Sequence, residues 1–446
     1  MKKLSQLLLH RIALFAACIS LSACGGNDQS TNEQGLRKNS APPRIAVIAS
    51  TAGSKKTIPP LYESPTAHFL AQPTIRAKTC GRDDVQEALD RAPDHSIIDI
   101  PSGDCDWKDL PVVKRRAGFW IRGATFGTTT IRRTSPVVMI KNEYADNHFL
   151  FEFDCSNAQS LEISNLTLIG NDKLQNEEQR FLDLDSGINL KNHCKDFQIH
   201  DSRFNDFSHT AIAISDLATN GVIYNNEFKG NFKCQTIPAN CMGYGVMILG
   251  DSTWPDLTLG ENNAVVVEDN LFSDNRHGVT SNEGSQYVVR RNTFESFDRS
   301  RNFAMIDAHG RTQKRGSRSW EIYQNKFIDK TTRRYNTASI GLRGGDGVIW
   351  GNIYEASFHT AVNFWPEASC KKRDGTFNTY PLSDQTTDAW VWGNIIQTPT
   401  LNFANYFGVV APSECAKYFI TGRDLHLEPK PHYRPLAYPH PLRRKT

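Results

Sequence analysis

Ile223-Tyr224-Asn225-Asn226-Glu227-Phe228 is one spelling of a phrase that recurs along this chain. The others are Ile163–Leu168 (ISNLTL), Ile199–Phe204 (IHDSRF), Val267–Phe272 (VEDNLF), Val289–Phe294 (VRRNTF), Ile322–Phe327 (IYQNKF), Ile349–Tyr354 (IWGNIY) and Val391–Ile396 (VWGNII). The pattern is an aliphatic residue, any residue, a polar residue, usually Asn, any residue, then a large apolar one. The final apolar positions lie 36, 24, 44, 22, 33, 27 and 42 residues apart. The short steps are the bare repeat, and the long ones carry insertions. A repeat of this length built of short strands is the mark of a solenoid.

A length of 446 residues would otherwise suggest two or three domains. A solenoid removes that inference, because it grows by adding coils to one core. Composition fits a folded chain rather than a disordered one, with 39% hydrophobic and 22% charged residues. The formal net charge is +3. Residues 1–23 hold Lys2, Lys3 and Arg11 and no acid, so the chain beyond them is neutral. That balance gives no support to a nucleic-acid partner. Between Arg290 and Arg343, however, 13 Lys and Arg stand against 5 Asp and Glu. A stretch of that kind suits a polyanion, although basic loops scattered over the surface give the same count.

The N-terminus reads as an address. A basic start is followed by the short apolar run Ile12–Leu21 and then Leu21-Ser22-Ala23-Cys24. This resembles a bacterial lipoprotein signal, residues 1–23, cut before Cys24 with lipid attached to that cysteine. In such proteins Gly25, rather than Asp, implies the outer membrane. Contact with the membrane is then expected only through the anchor. Residues 24–72, rich in Ser, Thr, Asn, Pro and Gly, read as a tether.

Export also changes how the cysteines read. With Cys18 removed and Cys24 lipidated, eight remain. An even number in an oxidising compartment points to disulfides. Contacts in a solenoid are local, so sequence neighbours are expected to pair: Cys80–Cys105, Cys155–Cys194, Cys234–Cys241 and Cys370–Cys415. Zinc-type Cys/His spacing is absent from the sequence, so no metal site is expected from these residues.

Order begins near Cys80. Asp84 with Glu87 reads as a helix N-cap, with Val85, Ala88, Leu89 and Ala92 at helical spacing before Pro93. Ser96–Pro101 (SIIDIP) follows as an alternating strand, and Trp120-Ile121-Arg122-Gly123 as another. This succession resembles the N-terminal cap and first coils of pectate-lyase-like parallel β-helix proteins. The resemblance implies a right-handed, single-stranded parallel β-helix over residues 73–425, with a short helix closing its N-terminal end. Each coil is expected to hold two main strands, with the recurring asparagines stacked at a bend in a structural ladder. Residues 426–446 form a Pro-rich tail, expected either to fold over the last coil or to extend into solvent. A monomer is expected.

Three phrases concentrate polar chemistry: Arg276–Ser281 (RHGVTS), Asp307–Arg311 (DAHGR) and Leu342–Asp346 (LRGGD). Each lies on, or just after, the same strand of successive coils, about 4.8 Å apart. The resemblance implies activity on polysaccharides, and the basic stretch suggests an acidic one. A lyase on a uronic-acid polymer neutralises the substrate carboxylate and removes the proton alpha to it. His309 is the expected base, Arg343 the neutraliser, and Asp307 the group orienting the histidine or a metal. Ca2+ is open as a cofactor. His277 and Tyr287 are further candidates for acid or base, and Arg291, Arg311 and Arg318 for neighbouring sugars. Against this stands a plain reading: His209, His277 and His359 each precede a strand by register, as turn-packing histidines do. A glycoside hydrolase of the polygalacturonase type is a weaker alternative. His277-Gly278-Val279-Thr280 matches one of that family's phrases, but its paired aspartates and R-I-K are missing. The alternative from another class is a non-catalytic, adhesive glycan-binding lipoprotein.

Overall fold

The computed structural model describes residues 73–443, apart from 109–110, 116–117, 134–147, 157–159, 172–184, 216–219, 236–239, 251–258, 262–263, 298–303, 312–314, 331–337, 357–359, 398–406 and 410–416. The signal segment, Cys24, the tether, His359 and Cys415 lie outside the described residues.

The recurring phrase straddles a corner. Its first half ends one strand and its second half begins another. Thus Val222–Tyr224 and Glu227–Lys229 are separate strands, as are Gln286–Arg290 and Thr293–Ser296. The residue at the corner takes a left-handed conformation in coil after coil: Asn225 (φ 53°), Asp269 (56°), Arg291 (57°), Gln324 (55°), Gly351 (63°) and Gly393 (59°). Such a residue turns the chain sharply. A third strand completes each coil, so the coils hold three strands where the sequence suggested two. Among the described residues, the strands stack into three parallel sheets of twelve, ten and ten strands, here sheets 1, 2 and 3 in the order the chain visits them. This is the expected right-handed parallel β-helix.

The next residue along holds the corners together. The Asn270 amide donates to Asn292 Oδ1 at 2.9 Å, Asn292 to Asn325 at 3.0 Å, and Asn325 to Asn352 at 2.9 Å. Each side-chain amide also donates to the next Asn and to a backbone carbonyl behind it. These asparagines are buried, so the ladder satisfies groups that would otherwise be stranded away from water. A second, shorter ladder runs through Asn231 and Asn275 at the next corner. Inside the coil the phrase's last residue forms a ring stack, Phe204, Phe228, Phe272, Phe294, Phe327 and Tyr354, with centroids 4.6–5.1 Å apart.

The capping helix α1 spans Arg82–Arg91 and buries Val85, Ala88 and Leu89. It begins two residues before the expected cap. Gly81 occupies the N-cap without a side-chain hydrogen bond, and Asp84 sits in the first turn, accepting from Thr79 Oγ1 at 2.5 Å. Cys80–Cys105 and Cys155–Cys194 are bonded as expected. Cys234 faces Cys241 across an antiparallel hairpin, and Cys370 is disulfide-bonded.

The Pro-rich tail neither extends into solvent nor stops at the last coil. It runs back along the outer face of sheet 1. Tyr433 Oη donates to Glu321 at 2.5 Å, the Arg290 guanidinium donates to the Leu436 and Ala437 carbonyls at 2.7 Å, and the His440 amide donates to Glu268 at 3.0 Å. Leu436 and Leu442 pack with Val222, Tyr224, Val266, Val288 and Tyr323.

Candidate active site

On the outer face of sheet 3, strand register decides which side chains meet. Thr280, Asp307, Gly341 and Asn363 form one outward column across His277–Asn282, Ala304–Ala308, Ala338–Leu342 and Thr360–Phe364. Two residues further on, His309, Arg343 and Trp365 form a second. Their amides donate in turn to the Ser281, Ala308 and Leu342 carbonyls of the preceding coil.

The spacing predicted contact between Asp307, His309 and Arg343, and the three side chains do meet. Arg343 grips Asp307 with two hydrogen bonds, Nη2 to Oδ2 at 2.6 Å and Nε to Oδ1 at 3.2 Å. Arg343 Nη2 also touches His309 Nε2, which lies 3.2 Å from Asp307 Oδ2. The sequence reading missed a fourth member, Glu367, whose Oε2 is 2.9 Å from Arg343 Nη1. Glu367 falls at the start of a long excursion, which hid it. The signal that finds it is register: it follows the strand Thr360–Phe364 on the next coil, just past the position equivalent to Arg343.

Burial gives this cluster its electrostatics. It pushes Asp307 up, but Arg343 outweighs it and holds the carboxyl well below the ordinary range. Burial, against the pull of Arg343, leaves Glu367 above its usual value. Burial and then the Arg343 cation push His309 down to about 3, so the ring is neutral at neutral pH. A guanidinium can only donate, so the contact with Arg343 takes up the Nε2 lone pair and places the proton on Nδ1. That atom is buried without a hydrogen-bond partner, 3.8 Å from Glu367 Oε2. Arg343 is therefore committed to two carboxylates, not waiting uncommitted for a substrate.

The other sequence candidates separate from this cluster. His277 stands behind Asp307, with Nε2 3.8 Å away and Nδ1 donating to the Ala304 carbonyl at 2.5 Å; burial first, then Arg276, push it down to about 4. It is in register with Thr210 and Tyr244, one step from His209, so the two histidines do not share a repeated site. Tyr287 is enclosed in the hydrophobic interior, 1% exposed, so it cannot face a polymer. Arg291 lies at the corner of sheets 1 and 2 under Tyr438 of the tail. Arg318 enters sheet 1 and acts electrostatically on Asp346. Only Arg311 stays near the rim, donating to Ser383 at 2.9 Å. Among the described residues the basic stretch thus reaches several faces; Lys326, for example, pairs with Glu355 on sheet 2.

Among the described residues no group of three or more His, Cys, Asp or Glu is placed to hold a metal ion. The cluster does not fit a resident Ca2+, because Arg343 already occupies both of its carboxylates.

No family model matches the sequence, and no curated protein matches it. Solved structures do resemble it. ORF18 of Geobacillus virus E2 is 14% identical over 77% of this chain and 59% of its own length, with a TM-score of 0.45. This chain therefore spans about three fifths of that protein. An alginate lyase from Paenibacillus sp. str. FPU-7 is 13% identical over 75% of this chain and 99% of its own, with a TM-score of 0.40. DFA-IIIase from Arthrobacter chlorophenolicus A6 without its lid is 11% identical over 76% and 92%, with a TM-score of 0.47. At such identities and scores, the fold rests on the chain's own sheets and any activity on the chemistry of its own cluster.

Proposed function

We propose that this chain is a carbohydrate-active enzyme that cleaves a glycosidic bond of a polysaccharide by proton transfer on the outer face of sheet 3. One observation carries the reading: Arg343 sits between two carboxyls whose proton affinities are driven in opposite directions. A carboxyl inclined to hold its proton beside one kept ionised can protonate a leaving oxygen while the second stabilises positive charge on the sugar; water then adds at the anomeric carbon and its proton returns to the first carboxyl. Glu367 is then the proton donor and Asp307 the anion. Arg343 fixes both, and His309 orients Asp307. Cys24 would hold the enzyme at the outer membrane by its lipid.

A second reading, β-elimination on a uronic-acid polymer, is favoured by the neutral state of His309. A substrate carboxylate that displaced Glu367 would be neutralised by Arg343. His309, with its lone pair released from Arg343, would accept the alpha proton as the bond from the beta carbon to the glycosidic oxygen breaks and that oxygen takes a proton from water, with Asp307 behind the histidine and Arg311 reaching a neighbouring sugar. This route needs a rearrangement that the first does not, which is why it stands second.

The test is incubation with alginate, pectate, glycosaminoglycans and a neutral glucan, measuring new reducing ends together with absorbance near ~235 nm from unsaturated ends. Reducing ends without absorbance support hydrolysis, and both together support elimination. Binding without either product overturns the enzyme reading in favour of an adhesive, glycan-binding lipoprotein.

A further inference from the structure

Trp365 is the residue of the sheet 3 face that the cluster does not explain. It follows Arg343 in the column His309, Arg343, Trp365, one strand spacing of about 4.8 Å further on. Its side chain is large and apolar, yet the residue is 45% exposed. Among the described residues, no ring or cation stacks on it.

The neighbouring column adds a gap and an unsatisfied acceptor. Gly341 stands between Asp307 and Asn363. It raises no side chain, and a Cβ built there would point at Ala304 Cβ (3.3 Å) and Asp307 Oδ1 (3.5 Å), on the cluster's side of the sheet. This leaves a shallow notch between Asp307 and Asn363, closed on the cluster's side by Ala304 and Asp307. At the far edge of the notch Asn363 Oδ1 is buried without a hydrogen-bond partner. A buried acceptor left unpaired costs free energy unless something supplies a donor. His309 Nδ1, which carries the ring proton, is a buried donor that likewise lacks a hydrogen bond.

A pyranose ring fits this combination. Its C–H face is apolar and flat enough to lie on an indole, and its hydroxyls supply donors at the ring edge. We propose that Trp365, Asn363 and the notch over Gly341 form a sugar-binding subsite beside the cluster. The indole stacks on one sugar ring, and Asn363 Oδ1 accepts a hydroxyl of that ring. The adjoining linkage is thereby held over Asp307 and Glu367. The inference rests on the carbohydrate reading of this face, but it concerns binding and does not depend on which bond-breaking route operates.

The experiment is isothermal titration calorimetry with cellotetraose and tetragalacturonate, using the wild-type chain, Trp365→Ala, Trp365→Phe and Asn363→Ala, each checked by thermal melting. The expected result is that at least one probe binds, that Trp365→Ala weakens it about tenfold, and that Trp365→Phe, which keeps a ring, retains most of the affinity. Asn363→Ala should weaken binding about fivefold. Equal affinity for wild type and Trp365→Ala, or no binding of either probe, overturns the subsite. Trp365-dependent binding with no product from any polymer upholds the subsite and overturns the cleavage reading instead.

Discussion

Replacing Arg343 with Met keeps the length of the side chain and removes its charge. Asp307, whose side chain is 7% exposed, then has no guanidinium, while Glu367, 16% exposed, can turn toward water. Removing one partner of a buried pair costs about 3–5 kcal/mol. A second estimate agrees. If Asp307 escapes by taking a proton at pH 7, the cost is about 1.4 kcal/mol for each of about three pH units, or about 4 kcal/mol. His309, 3.2 Å from Asp307, absorbs part of this once the repelling cation is gone, which favours the lower end of the range. The pH dependence has a definite sign. In the wild type Asp307 is depressed, so its contribution is fully present above the ordinary carboxylate range and is lost only in strong acid. In the variant the same carboxyl is raised, so the folded state binds the extra proton and recovers stability as pH falls. The gap between the two proteins should therefore narrow by about 1.4 kcal/mol per pH unit, to about 1 kcal/mol or less at pH 5. Urea unfolding followed by tryptophan fluorescence at both pH values measures it. A gap below about 1 kcal/mol at pH 7, or one that does not narrow toward pH 5, would refute the ion-pair argument.

Glu367→Gln should lower turnover by about 100-fold or more while leaving oligosaccharide affinity nearly unchanged, and a variant with wild-type rates removes Glu367 from the chemistry. His309→Ala should also abolish most turnover with little change in melting temperature; loss of the fold would mark the ring as structural. Asn292→Ala strips a central rung of the ladder and strands the Asn270 amide, so it should cost about 2–4 kcal/mol in denaturant titrations, and a cost near zero contradicts the ladder's role. Cys24→Ser should move the protein from the membrane to the soluble fraction, and retention at the membrane eliminates the anchor. Peptide mapping without reductant should recover Cys234 linked to Cys241 and Cys370 linked to Cys415; crossed pairs would end the nearest-neighbour rule.

The coil was legible because one short phrase carries a corner, a ladder residue and an interior ring at fixed offsets. Asn292 and Phe294 announce their roles by recurrence alone. The third strand was not legible in the same way, because the left-handed corner is taken by Asn225, Arg291 and Gln324 as readily as by Gly351, and no residue type marks it. Asp307, His309 and Arg343 were legible as neighbours because register converts sequence offsets into distances. Glu367 was hidden by the excursion it opens. Tyr287 misled because a polar aromatic in a strand looks the same from either face, and here the face is the interior. The charge surplus could not be placed from sequence, because a coil turns successive basic residues such as Arg291, Arg311 and Lys326 toward different sides.

The tail laid along sheet 1 changes how this solenoid comes apart. A repeat array normally frays from its ends, since each coil touches only its neighbours. Here Arg290 is tied to Leu436 and Ala437, 146 and 147 positions away, and Glu268 to the His440 amide. The C-terminal coils cannot peel off while that strap is seated, because their own chain end is fastened further down the stack. Unfolding from that end must begin by detaching the strap, which couples coils that would otherwise melt in sequence. A short C-terminal truncation would thus loosen the coil that carries Tyr224, far from the cut.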